Sequence, residues 1–427
     1  MKTTRRRHLG SLALGAGLLA GTACSAIQLG KSGAARVVVV GGGFAGASCA
    51  RALQALDENL AVTLIEPQMT YTACPMSNLV LGTSRPLAAQ QFGYGGIRNQ
   101  GVTVLHSVVT GVDGVARNVT LSDGSVLSYD RLVLAPGISF DWQALPGLDE
   151  AAAQVLPHAW RAGAQTELLK GQLRAMPDNG LVVISVPDNP YRCPPGPYER
   201  ASLIAHYLKA HKPRAKLLIL DAKDRFSKQP LFMQAWQTLY GDMLEWQGLS
   251  DGARVISVDA STRTLHTDFD SISADVANVI PPQRAGAIAG IAGVADASGW
   301  CPIDPVTFES TLQADIYVIG DAAIANAMPK SAFAANAQAK YCAAQIVRSL
   351  AGLAPLPSTL INTCYSLARP DYGFSVAGVY KPAADSWLQI EGAGGVSPLD
   401  APVDVREQES LYAKAWFETL TESVFGG

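Results

Sequence analysis

The chain has 427 residues, 48% of them hydrophobic and 16% charged, with 40 Gly, 25 Pro and a formal net charge of -3. That length supports two or three domains with sizeable cores, and that composition suits a loop-rich α/β protein rather than a disordered chain. Mild acidity leaves no electrostatic basis for binding nucleic acid or an anionic membrane, although a basic protein partner is compatible with it.

In chain order, residues 1–26 predict a secretory signal. Arg5-Arg6-Arg7 precedes the apolar run Leu12 to Ala20, and small residues follow to Ala26. The paired arginines favour the twin-arginine route, which carries folded proteins to the periplasm. The run is too short and Gly-rich to span a bilayer, so no integral membrane segment is expected in the mature chain. Cys24 offers a lipoprotein-type cut, which Gly21-Thr22-Ala23 fits poorly.

Arg36 to Val40 is a continuous β-branched run, the pattern of a parallel strand buried on both faces. Gly41-Gly42-Gly43-Phe44-Ala45-Gly46 follows, then helical periodicity from Ala47 to Leu56 and a second strand, Ala61 to Ile65, closing on Glu66. A third buried strand is expected in Tyr129 to Leu134. The pattern restarts with strand Gly180 to Val186, helix Tyr198 to Ala210 and strand Lys216 to Asp221, a weak internal repeat. Ile316 to Ile319 supplies a strand returning to the first domain, and strand-like segments lie around Tyr372 to Val379. The expected fold is α/β: two Rossmann-like FAD/NAD(P)-binding domains of the disulfide-reductase type plus a C-terminal α+β module. The expected boundaries are 33–150 with 282–352, 151–281, and 353–427.

Gly41-x-Gly43-x-x-Gly46 has a defined physical task. The first glycine turns the chain, the second admits a pyrophosphate, and the third lets helix and strand pack closely. The helix N-terminus offers unpaired N–H groups to phosphates, and Glu66 stands where a carboxylate bonds the adenosine ribose. Asp321, after Gly320 at the end of a strand, is placed as in flavoproteins whose aspartate bonds the ribityl chain. An ordinary helix cap is the alternative for Asp321. The helix near Lys330 then directs its positive end at the flavin ring. FAD is therefore the expected cofactor.

The second βαβ unit lacks such a cradle. Its turn reads Pro187 to Pro197 with five prolines, which remove N–H donors and fix φ. A nicotinamide donor is not expected there. Cys193 in that turn and Cys364 in the C-terminal module are either a redox disulfide beside the flavin or two buried apolar fillers. Cys74 has no local partner, and a single thiol near the flavin edge suggests a covalent cysteinyl link. There is no Cys-x-x-Cys or Cys-x-x-Cys-His, so neither a metal site nor a covalent haem is expected on this chain.

Several stretches together resemble the flavoprotein subunit of flavocytochrome c sulfide dehydrogenase. They include Val37 to Gly46, Cys74 to Asn78, His158 to Trp160, Arg192 to Ser202, Pro281 to Gly286, Gly299 to Pro302 and Asn362 to Ser366. The run Arg192-Cys193-Pro194-Pro195-Gly196-Pro197-Tyr198-Glu199-Arg200 is the most specific. The resemblance implies FAD bonded to Cys74, a Cys193–Cys364 disulfide over the ring, and Glu199 close by as a proton acceptor. It further implies sulfide as substrate and a separate cytochrome c subunit as electron acceptor. Pro75 directly after Cys74 departs from the family pattern. The competing readings are a sulfide:quinone reductase, against which the polar stretch Asp404 to Ser410 argues, and a non-catalytic FAD-bearing subunit of a sulfur-oxidation complex.

Overall fold

The computed structural model describes residues 33–426; the expected export signal and Cys24 lie outside the described residues. Two parallel sheets organise the chain. The first has the strand order Ile316–Val318, Arg131–Leu134, Arg36–Val40, Ala61–Ile65, Thr103–Leu105. Its neighbours all pair in parallel, and Val37, Val38 and Val39 are buried. A β-branched run without polar alternation can settle only where both faces are covered. Helices Phe44–Leu56 and Ala332–Leu350 pack together beside this sheet, with the fully buried Cys49 and Cys342 meeting at their contact. Strand Ile316–Val318 returns from far along the chain, as expected.

The second sheet runs Leu244–Gln247, Lys216–Asp221, Leu181–Val186, Val276–Val279, again all parallel. The segment leaving the first unit and the segment coming back pair as an antiparallel ribbon, Ile138–Phe140 with Gln283–Ala285. A C-terminal hairpin, Leu360–Arg369 with Tyr372–Pro382, is covered by the long helix Val403–Phe425. The α/β architecture therefore matches the sequence expectation.

One helix starts earlier than expected, and one polar stretch had no expected structure. The second unit's helix spans Gly196–His211 and begins before the expected Tyr198, with Pro195 as cap and Pro197 in its first turn. A first-turn proline loses nothing, because its missing N–H would have no helical partner and its φ is already helical. The polar C-terminal stretch is also helical, because Arg406, Ser410, Ala413, Phe417, Leu420 and Val424 form a buried face. Arg406, 1% exposed, bonds Glu409 and the carbonyls of Pro398 and Leu399. Among the described residues no helix is long and apolar enough to cross a membrane.

Candidate active site

The first glycine turn is built as its spacing requires. Gly41 has φ 101, and a Cβ there would lie 2.3 Å from the Ala135 carbonyl oxygen. A Cβ on Gly46 would lie 1.8 Å from the Gly41 oxygen, so helix and turn touch backbone to backbone. Gly43 is the N-cap of helix Phe44–Leu56, and no side chain caps that first turn. Its N–H groups are left for an anion. Glu66 accepts from the Gly42 N–H at 2.8 Å and from the Gln68 N–H at 2.9 Å. Each carboxylate oxygen keeps a lone pair for a ribose hydroxyl.

Asp321 lies in the 3₁₀ turn Gly320–Ala322, next to the N-terminus of helix Ala332–Leu350. Burial pushes its carboxyl up, and Arg192 and Lys330 pull it back. Its Oδ1 is buried without a hydrogen-bond partner among the described residues. An orphaned buried acceptor is costly, and a hydroxyl donor from a ribityl chain would satisfy it. It is not a helix cap: Ser331 is, accepting from the Ala334 N–H at 3.1 Å. Lys330 donates to the Asp321 and Ala323 carbonyls at 2.7 and 3.0 Å and sits 3.9 Å from the Trp300 ring. Burial lowers its ammonium to about 8. Lys330 thus ties down the Asp321 turn.

Cys74 is half-buried, with its thiol 3.8 Å from the Trp160 carbonyl. The buried Gln90 amide grips both flanks, donating to Ala73 at 2.9 Å and Pro75 at 2.6 Å. Cys193 adopts φ 58, and its N–H donates to the Lys330 carbonyl at 2.8 Å. That bond joins the proline-rich turn to the segment carrying Asp321. Burial pushes the Cys193 thiol well up, and the neighbouring Cys364 and Glu199 push it further, against Arg192 and Lys228. Cys364 is thus among the groups that act on the Cys193 thiol, and both cysteines are half-buried.

Glu199 sits where the three parts of the fold meet. It accepts from Asn78 Nδ2 at 2.8 Å and from the Leu367 N–H at 3.0 Å. Burial raises its carboxyl, while those bonds, Lys228 and Arg200 oppose the shift. Arg200, 3% exposed, bonds Asn78, Asn278 and the carbonyls of His158 and Ala159, with its guanidinium 4.9 Å from the Trp160 ring. His158 Nδ1 accepts from the Trp160 N–H at 2.9 Å. Burial, with Arg200, Arg161 and Arg192, pushes that imidazole down to about 3, so it is neutral and serves the scaffold. Gln90, Asn78, Arg200 and Lys228 were not singled out from sequence; Asn78 and Arg200 lie inside the family-like stretches, which was their signal.

The second unit contrasts with the first. Asp221 ends its second strand, the position that Glu66 holds in the first unit. It is fully buried and accepts from Tyr198 at 2.6 Å, Trp246 at 3.0 Å and Lys223. Its side chain is consumed by the core, leaving no carboxylate there for a ribose.

Three family descriptions match stretches of the chain. Residues 35–184 match the family described as pyridine nucleotide-disulphide oxidoreductase. Residues 166–281 match the central region of the sulfide dehydrogenase [flavocytochrome c] flavoprotein chain, and 357–425 match the flavocytochrome c sulphide dehydrogenase flavin-binding family. The chain is 56% identical over 48 residues to a sulfide dehydrogenase [flavocytochrome c] flavoprotein chain of Chlorobaculum thiosulfatiphilum, covering 11% of this chain and 100% of that sequence. It is 23% identical over 361 residues to a mitochondrial sulfide:quinone oxidoreductase of Dictyostelium discoideum, covering 80% and 78%. Among solved structures, the sulfide:quinone oxidoreductase of Aquifex aeolicus superposes with TM-score 0.68 at 16% identity over 92% of this chain and 93% of that one. Putidaredoxin reductase gives 0.64 at 19% over 89% and 93%. With its flavin-binding architecture, this chain belongs to the flavin-dependent sulfide oxidoreductases of the pyridine nucleotide-disulphide oxidoreductase fold.

Proposed function

We propose that this chain oxidises sulfide at Cys193 and Cys364, carries FAD covalently on Cys74, and delivers electrons to a cytochrome c subunit in the periplasm after twin-arginine export. The observation that carries the reading is the convergence of Cys193, Cys364 and Glu199 beside the Asp321–Lys330 segment. The proline-rich turn and the consumed Asp221 support it by leaving a nicotinamide no seat.

In this cycle the two cysteines alternate between a disulfide and a pair of thiols. From the oxidised form, hydrosulfide attacks one sulfur; the S–S bond breaks, a persulfide forms on that cysteine, and the other leaves as thiolate. The proton released goes to Glu199, whose oxygens are otherwise held only by Asn78 and Leu367. The persulfide's S–S bond then breaks, its outer sulfur leaving at the zero-valent level, alone or onto a growing polysulfide, and the two cysteine thiolates re-form their disulfide by giving up two electrons. FAD, held by this site, would supply the acceptor for that electron pair and a way to pass electrons on one at a time. The residues that fit FAD are Gly41, Gly43, Gly46, Glu66, Gly320 and Asp321, with Lys330 fixing the last.

The deciding experiment gives sulfide anaerobically to the purified chain with cytochrome c or a soluble quinone as acceptor. Cytochrome reduction, with a flavin-modified Cys74 peptide in the denatured protein, is expected. Turnover with quinone alone would favour the second reading, which the Dictyostelium relative suggests by its name. Sulfide that fails to bleach the flavin at all would leave a non-catalytic subunit.

Glu199 gives a pH signature. Burial raises its carboxyl, so it stays protonated above the ordinary glutamic acid range of about 4.3 and accepts a proton only once ionised. The acid limb of kcat should therefore lie above that range. Glu199→Gln should abolish the limb and lower the plateau about 10²-fold. A Gln variant with an unchanged kcat profile would remove Glu199 from the reaction.

A further inference from the structure

One cation beside the thiol pair comes from neither the proline-rich turn nor the helix that follows it. Lys228 adopts φ 62 directly before helix Gln229–Leu239 and is only 7% exposed. A left-handed backbone at a residue with a long side chain is strained, and a buried ammonium is costly. Both features aim the side chain at one place. Nζ donates to the Cys364 carbonyl at 2.7 Å and lies 6.0 Å from the Phe374 ring.

The other charged and titratable groups around this spot are Cys193, Cys364, Glu199, Arg192, Arg200 and, facing Cys364 from the neighbouring strand, Tyr380. The two arginines serve other groups: Arg192 spends one N–H on the Trp160 carbonyl and its charge faces Cys74 and Asp321 more than Cys193. Arg200 divides its N–H groups among Asn78, His158, Ala159 and Asn278. Lys228 makes a single side-chain hydrogen bond among the described residues. An ammonium has three donors, so two are free to meet an anion.

We propose that Lys228 is the positioning cation of the thiol pair: it stabilises the negative charge that appears on Cys193 when the pair opens, and it draws anionic sulfide toward Cys364. This inference rests on the sulfide-oxidising reading of the two cysteines and names the group that tunes them. Lys228 touches the Cys364 backbone rather than a reacting sulfur, so its effect is electrostatic and separable from proton transfer at Glu199.

The test reads thiol chemistry instead of turnover. The holoprotein is reduced anaerobically and treated with iodoacetamide at one alkaline pH, and the Cys193 peptide is quantified by mass spectrometry. Alkylation follows the thiolate fraction. Lys228→Gln keeps a donor for the Cys364 carbonyl and removes the charge. It should slow Cys193 alkylation about tenfold, the consequence of roughly one pKa unit, and raise the KM for sulfide. Lys228→Arg restores a cation and should alkylate close to the wild-type rate, with both variants checked by thermal unfolding. Equal Cys193 alkylation rates in the wild type and a folded Lys228→Gln would overturn the proposal. Sulfide turnover surviving the loss of Cys364 would instead sink the disulfide reading, and that outcome leaves the alkylation comparison unaffected.

Discussion

Cys364→Ser should lower sulfide oxidation by about 10³-fold or more while the protein keeps its flavin absorbance. A hydroxyl forms neither a disulfide nor a persulfide, so the substitution removes the bond that sulfide is proposed to break. The fold has little reason to respond. Cys364 lies within strand Leu360–Arg369 opposite Val376, and its contact with Lys228 runs through the backbone carbonyl, which serine retains. The residues that fit the cofactor, from Gly41 to Asp321, lie on other elements. Cys193→Ser should match it, and the double variant should be no worse than either single one, because the two sulfurs act as a unit. Anaerobic mixing with sulfide, followed by flavin bleaching, measures this directly. Near-normal bleaching in Cys364→Ser would mean that sulfide reaches the flavin without the pair.

Sequence made the first cradle legible because its physics is local. Arg36 to Val40 needs only two covered faces, Gly41 answers its own positive φ, and Gly46 answers a clash with the Gly41 carbonyl five residues away. The proline-rich turn was equally readable for what it cannot do. Other features depend on partners far along the chain. Lys228 and Gln90 are polar residues whose burial comes from tertiary neighbours, so no periodicity marks them. Helix Val403–Phe425 hides its inner face because Arg406 and Ser410 occupy core positions that a hydropathy reading assigns to solvent. Asp221 shows the same limit from the other side. Its place at the end of a strand resembles that of Glu66, and only the packing of Tyr198 and Trp246 reveals that it belongs to the core. Cys193 and Cys364 stood apart in sequence with two readings open; it is the three-way junction at Glu199 that brings their elements together.

Gly46→Ala should yield a protein that fails to load FAD, with a flavin-to-protein ratio near zero. The added Cβ would stand 1.8 Å from the Gly41 carbonyl oxygen and 3.3 Å from the Ala135 Cβ. The first contact is with backbone, so no side chain can rotate aside. Helix Phe44–Leu56 must back away from the turn, and the N–H groups at its start then miss the pyrophosphate they are set to meet. Without that anchor the flavin end is not held beside Cys74, so the covalent link should fail as well. A general intolerance of alanine is excluded by a control at Gly171, inside helix Ala164–Ala175, where a Cβ meets nothing within 4 Å. Gly171→Ala should load FAD normally and gain about 0.5–1 kcal/mol from helix propensity. A folded Gly46→Ala protein carrying a full complement of flavin would show that the dinucleotide does not depend on this turn, and the cradle would have to be sought elsewhere.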